Sequence, residues 1–501
     1  MALIPLLSLP GVGILLVVYY VVSSVAAWYR LRHFRGPFLG CFSYFFIIKT
    51  DKAARCWEAY TSINRKFGPL ARIGPNELIT DDPELIRKMN SARSVYARGG
   101  WYDAARLDPY DDTMASLRDN AAHDKLKAKT ASGYAGKENP DLEAGINSQL
   151  AGMVDYIRRK YVSSDSELRP LDLARMVQYF TLDTITRIAY GKDFGYLDSD
   201  SDVFDYIRTT KEILPQIHLW ADVPWLRKLQ LNQLVLKLMG PKATGNVGVG
   251  RLMAVARDIV AKRFEPKAEG QQDMLGAFIR HGLTQRQCET EVLFQIAAGS
   301  DTTATALRAT MLYIITTPYV YQKLVDEIDE AIRAGRISTP ISNDEAKALP
   351  YLQAVIYEGL RIHSPFTALL LKQVPPEGDT YHGKFIPGGT CIGHSTWSVM
   401  RNKQIFGDDV ELFRPERWLN IDPQERAIMV RTVELVFGYG RWACAGKPVA
   451  FMELNKFYVE ALRNFNFQLI NPTSPWESKN NNVFLQSNMW VKVTERQSYD
   501  G

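Results

Sequence analysis

Apolar residues run almost unbroken from Leu6 to Trp28, and no charged residue occurs before Arg30. At 1.5 Å per residue a helix over this stretch spans about 34 Å, enough for a bilayer core. Arg30, Arg32, His33 and Arg35 follow at once, and Gly36-Pro37 breaks a continuing helix. Positive charge after the span predicts a single-pass anchor with the remaining chain on the cytosolic side. A cleaved signal peptide fits less well, because Met1–Gly13 has no basic residue.

Past Pro37 the pattern shortens its period. Leu70–Thr80 reads as two strands around a Gly74-Pro75-Asn76 turn. Helical periodicity governs Leu252–Phe264 and Pro318–Ile332. Thr284–Thr317 reads as one long helix, with Thr284 and Gln287 placed for a capping box and Pro318 as the stop. Short strand patterns return at Phe385–Ile392 and Met489–Val493. Ser94–Arg118 mixes Gly99-Gly100 and Asp108-Pro109 with polar residues and reads as an excursion outside the core. Helices outnumber strands, so the fold class is mainly α with small β-sheets. The division expected is an anchor over residues 1–29, a basic, proline-ended hinge over 30–37 and one catalytic domain over 38–501.

Composition narrows the function. The 501 residues are 46% hydrophobic and 23% charged, and 60 basic against 55 acidic side chains leave a net charge of +5. So small and dispersed an excess excludes a dedicated nucleic-acid binder. The five cysteines include no CxxC pair, which excludes a zinc cluster and favours a reducing compartment. Gly245–Gly250 lacks both the GxGxxG order and a preceding strand, so no nucleotide loop is expected there.

The chemistry concentrates in Phe437-Gly438-Tyr439-Gly440-Arg441-Trp442-Ala443-Cys444-Ala445-Gly446. Cys444 stands just before an apolar helix whose N-terminal amides would favour a thiolate. Gly438 and Gly440 let backbone amides approach the sulfur. A thiolate held this way is a good axial ligand for haem iron. Upstream, the long helix is interrupted by Ala298-Gly299-Ser300-Asp301-Thr302-Thr303, residues that compete for backbone hydrogen bonds and are unexpected in a core helix.

Phe-x-x-Gly-x-x-x-Cys-x-Gly resembles the haem-binding signature of the cytochrome P450 family, and three further segments agree in order. Glu358-Gly359-Leu360-Arg361 is similar to the family's Glu-x-x-Arg, and Phe413–Trp418 is similar to its Phe-x-Pro-Glu-Arg segment. The resemblance implies a structural charge network of Glu358, Arg361 and Arg417. Ala298–Thr303 resembles the stretch that crosses the haem, which implies Asp301 and Thr302 as a catalytic acid–alcohol pair and Ala298 against the cofactor. His123 and Lys127 share one helical face and, with Lys372 and Arg441, are implied propionate contacts, while Phe437 and Gly438 would flank the ring. Trp442 occupies the position where the family commonly has Arg.

The chain is most similar to membrane-anchored fungal members of the pisatin-demethylase-like group. The resemblance implies a cytochrome P450 fold and haem b with iron bound by Cys444. It also implies a monooxygenase using O2 on a lipophilic small molecule, in secondary-metabolite biosynthesis or detoxification, at the endoplasmic reticulum membrane. No segment could hold flavin or nicotinamide, so NADPH-cytochrome P450 reductase is the expected donor, with cytochrome b5 as an accessory one. Lys125, Lys129 and Lys447 are candidate docking cations. The competing readings are an isomerase, dehydratase or peroxygenase on the same fold, and a non-catalytic membrane haem-binding protein.

Overall fold

A computed structural model describes residues 9–267 and 269–496. The N-terminal apolar stretch forms the helix Leu9–Arg30, whose segment from Gly11 is unburied and long and apolar enough to cross a membrane. Its end is clasped by the body. Buried Arg72 donates from Nη1 to the Trp28 carbonyl at 3.2 Å and from Nη2 to the Ala27 carbonyl at 3.0 Å. These are carbonyls that a helix end leaves without intrahelical partners. Arg30 bonds Asn76, Gly388 and Thr390, while Leu31 and Phe34 are buried, so the basic segment lies on the body.

The long helix forms as its pattern predicts, over Gln285–Thr316. The capping box is present: the Gln287 amide donates to Thr284 Oγ1 at 3.2 Å, and the Thr284 amide donates to Gln287 Oε1 at 3.0 Å. This helix runs through the core against Leu173–Tyr190, Gly248–Arg263, Pro350–Ile362 and Lys447–Asn464. Gly299 permits the first of those contacts, since a Cβ there would lie 2.7 Å from the Ile185 side chain.

Beside this helical layer sits a five-stranded sheet in the order Leu70–Arg72, Glu77–Thr80, Cys391–His394, Lys372–Gln373, Ala97–Arg98. The first two strands pair antiparallel with Leu70 opposite Thr80, as expected from their turn. Glu77 then pairs in parallel with Cys391. A three-stranded sheet joins Leu171–Asp172, Trp490–Glu495 and Phe465–Leu469.

Two expectations need correction. Phe385–Ile392 is not one strand: Pro387 and the left-handed Gly389 (φ +78°) divide it into Lys384–Ile386 and Cys391–His394, which belong to different sheets. Ser94–Arg118 is not an excursion either. Trp101 and Tyr102 are buried in a satellite core, Ala97–Arg98 is an edge strand, and the Met114 amide donates to buried Glu291 at 2.6 Å. Its glycines and proline set turns, while its aromatic side chains supply enough apolar surface to hold the segment inside.

Candidate active site

A cavity of about 420 Å³ lies between the central helix and the cysteine loop. Cys444 is on its wall and is enclosed by protein, yet its surface is open to the cavity. The loop is shaped by backbone. The Cys444 amide donates to the Phe437 carbonyl at 2.7 Å. Gly438 adopts φ +72°, and a Cβ there would come within 2.7 Å of the Trp442 carbonyl. Gly440 (φ +57°) is packed as tightly against the Asn90 carbonyl. Side chains at either position would deform the loop.

Electrostatics at the sulfur are mixed. Burial pushes the Cys444 thiol above its ordinary pKa, opposed by the Gly446 and Lys447 amides and by the Lys127 and Lys447 charges. The amides at the start of Lys447–Asn464 therefore act as the sequence suggests, but they do not outweigh burial. Full ionisation at neutral pH belongs with metal binding, which displaces the thiol proton.

Opposite the cysteine stands the polar interruption of the central helix. Ala298, Gly299, Asp301, Thr302 and Thr303 line the cavity. Ser300 and Thr302 each return a hydroxyl to the carbonyl four residues back, at 2.7 and 2.9 Å. Asp301 and Thr302 share the cavity wall without a mutual hydrogen bond. The Asp301 carboxylate instead accepts from Gln178 Nε2 at 2.7 Å and from the Tyr206 hydroxyl at 3.0 Å. Gln178 in turn accepts from Arg308 at 2.8 Å. Burial raises the Asp301 pKa to about 6, with Tyr206, Arg308 and Gln178 opposing.

Cationic and imidazole groups gather around Trp442. The Arg98 guanidinium lies 4.2 Å from its ring centroid, the Lys372 ammonium 4.0 Å, and the His123 ring 4.2 Å. Lys372 Nζ, Arg98 Nε and Trp442 Nε1 are buried without hydrogen-bond partners among the described residues. Burial followed by Arg98 drives His123 down to about 4, and lowers Lys127 and Lys372. Unpartnered donors crowded at low dielectric fit a ligand bearing carboxylates. Arg98 was hidden from sequence reasoning because it falls in the segment read as an excursion.

The other implied contacts divide. Lys127 donates to the carbonyls of Arg441 at 2.6 Å and Ala443 at 3.0 Å, so it braces the cysteine loop while lining the cavity. Phe437 and Gly438 line the cavity as well. Arg441 does not: its guanidinium turns to Asp124 Oδ2 at 3.1 Å and to the Ser94 carbonyl at 3.2 Å. With Trp442 one place closer to Cys444, the arginine is carried to the outer side of the loop.

Behind the loop, Glu358, Arg361 and Arg417 meet in a buried network. Arg361 makes a two-point contact with Glu358, 2.8 Å from Nε to Oε2 and 2.8 Å from Nη2 to Oε1. Arg417 Nε and Trp418 Nε1 donate to the same carboxylate at 2.9 and 3.0 Å. The remaining guanidinium donors go to carbonyls, including those of Met400, Val410 and Phe406, and from Arg417 Nη1 also to Asp409 Oδ1 at 2.9 Å. Every Glu358 lone pair is thus engaged, which is what makes a buried carboxylate tolerable.

The family model described as Cytochrome P450 matches residues 36–493. The chain belongs to the cytochrome P450 family. Among its relatives, cytochrome P450 monooxygenase ABA1 of Pyricularia oryzae is 47% identical over 496 residues, covering 97% of each chain. Cytochrome P450 monooxygenase aba1 of Botryotinia fuckeliana is 47% identical, covering 93% of this chain and 92% of its own. Cytochrome P450 monooxygenase abl1 of Leptosphaeria maculans is 40% identical, covering 92% and 82%. Membership in the cytochrome P450 family implies haem with cysteine-thiolate ligation, O2 as co-substrate and electrons from a reductase. The chain is accordingly a haem monooxygenase of small molecules.

Proposed function

We propose that this cytochrome P450 binds haem b through Cys444 and oxidises a lipophilic small molecule in fungal secondary metabolism. The observation that carries the assignment is that Cys444 opens onto a cavity also lined by Ala298, Gly299, Asp301, Thr302 and Thr303. Arg98, His123, Lys127 and Lys372 would hold the two propionates, with Phe437, Gly438 and Ala298 against the ring. When bound, haem supplies O2 activation, placing one oxygen atom in the substrate and releasing the other as water. The chain would relay the protons from solvent. Thr302, whose hydroxyl is anchored to Ala298 and faces the cavity, would orient a water there. Asp301, held by Gln178 and Tyr206 with a pKa of about 6, would pass protons inward. Glu358, Arg361 and Arg417 would hold the loop's backing without touching substrate.

The electron donor proposed is NADPH-cytochrome P450 reductase, with cytochrome b5 as an accessory. Lys125 is exposed beside the loop and is the freest docking cation, since Lys129 bonds the Gly282 carbonyl and Lys447 pairs with Glu434. The division proposed is an anchor over residues 1–29, a basic segment over 30–37 and a catalytic domain over 38–501, at the endoplasmic reticulum membrane. A second apolar surface supports membrane attachment. The helices Pro224–Gln230 and Gln233–Met239 expose Trp225, Leu229, Leu234, Leu238 and Met239 beside Lys228 and Lys237. The reduced carbon monoxide complex tests the ligand. A Soret band near ~450 nm is expected, and one near ~420 nm that persists in fresh protein would remove the thiolate. Thr302→Ala tests the proton role: product formed per NADPH should fall about tenfold or more, with release of hydrogen peroxide.

A further inference from the structure

His218 stands apart from every polar side chain used above. It lies on the helix Tyr206–Asp222 and lines the cavity, on the part of the wall shared with Trp101, Leu214 and Phe366. Its ring stacks on Trp101, with centroids 5.9 Å apart and planes 23° from parallel. The residue is 5% exposed, and among the described residues neither Nδ1 nor Nε2 has a hydrogen-bond partner. An imidazole buried with both nitrogens unsatisfied is costly, and an apolar side chain would fill the place without that cost.

Of the neighbouring polar groups of the wall, Trp101 Nε1 is a second unpartnered donor among the described residues, and others are engaged. Arg106 bonds the Asp103 carbonyl and Asp112, and Asp108 takes Arg286. Away from the cysteine loop, His218 is therefore the wall residue with a free donor and a free acceptor on one ring. Its stacking on Trp101 fixes the ring plane, so those two positions are oriented in advance.

We propose that His218 is a specificity-determining residue that receives a neutral oxygen, hydroxyl or carbonyl, on an otherwise apolar substrate. A hydroxyl satisfies both a donor and an acceptor, and a carbonyl satisfies the donor. The rest of the wall, including Leu293, Phe294, Phe366 and Leu370, takes the hydrocarbon. A neutral partner is favoured over a carboxylate because no charged group acts on the ring. Burial alone lowers its pKa, to about 4. A hydrogen bond made at such a site discriminates well, because an analogue lacking the oxygen leaves the imidazole unpaired.

This inference rests on the monooxygenase reading, and the test separates the two. Holoprotein is titrated with three terpenoids of one skeleton: valencene, its alcohol nootkatol and its ketone nootkatone. Dissociation constants are read from the Soret shift. Nootkatol and nootkatone should bind about tenfold more tightly than valencene, the usual worth of one satisfied buried hydrogen bond. His218→Phe should abolish that preference without weakening valencene, with the ~450 nm carbon monoxide band unchanged. His218→Gln, which keeps a donor and an acceptor, should restore part of it. Equal affinities for the three compounds in the parent protein overturn the proposal even if no variant folds. So does a preference that survives in His218→Phe. A parent protein without the ~450 nm band removes the monooxygenase reading, and the assignment to His218 falls with it.

Discussion

Lys372 and Trp442 meet face on, the lysine Nζ lying 4.0 Å from the indole centroid with no hydrogen-bond partner among the described residues. A cation–π contact returns only part of the hydration that a buried ammonium gives up. Burial, then Arg98 and Arg441, hold its pKa well below the ordinary lysine value. Lys372→Met should separate two properties that usually move together. Cofactor-free protein should gain about 1–3 kcal/mol in urea unfolding, while loaded protein should lose haem faster to apomyoglobin. Unchanged haem loss would take Lys372 out of the cofactor's binding set.

The Glu358 carboxylate joins two guanidiniums, an indole and the Arg414 amide, and it has no access to water. Replacing it leaves buried Arg361 without a carboxylate and Arg417 with Asp409 alone. Glu358→Gln should cost about 3–5 kcal/mol of unfolding free energy. Denaturant titration measures this, and a loss under about 1 kcal/mol would mean that backbone carbonyls, with Asp409 at Arg417, suffice for both arginines.

Asp301 gives the molecule a titration with a definite sign. Its folded pKa is about 6, raised from 3.8. Between those values the folded protein holds a proton that the unfolded chain releases. Its contribution to stability is thus complete below about pH 4 and is lost as the pH rises through about 6, by at most about 3 kcal/mol. Asp301→Asn should remove that slope. Stability curves that stay parallel from pH 4 to 7 in variant and parent would place the proton on another group.

Membrane attachment should have two separable parts. Deleting residues 1–26 leaves the Ala27 and Trp28 carbonyls that Arg72 binds and should shift part of the protein into the soluble fraction. Adding Leu238→Asp and Met239→Asp should release most of the remainder, since those side chains are 80% and 83% exposed. Complete release by the deletion alone would confine attachment to the N-terminal helix.

What the sequence revealed depended on how local each feature is. The capping box at Thr284 and Gln287, the Glu358–Arg361 pair and the glycines before Cys444 are set by residues within a turn or a loop of one another. Spacing alone exposes such features. The two clusters that sequence reading missed have no such spacing. Arg98 reaches Trp442 because an edge strand pairs with Lys372–Gln373, and Gln178 reaches Asp301 because two long helices cross at Gly299. Arg441 stands one residue from the motif position, and its side chain bonds Asp124.

The Arg72 clasp removes any loose joint between the apolar helix and the folded body. A helix set in a lipid sheet would then hold the body at one inclination, as a bracket holds a lamp. Oily molecules dissolved in that sheet would then always meet the same side of the protein.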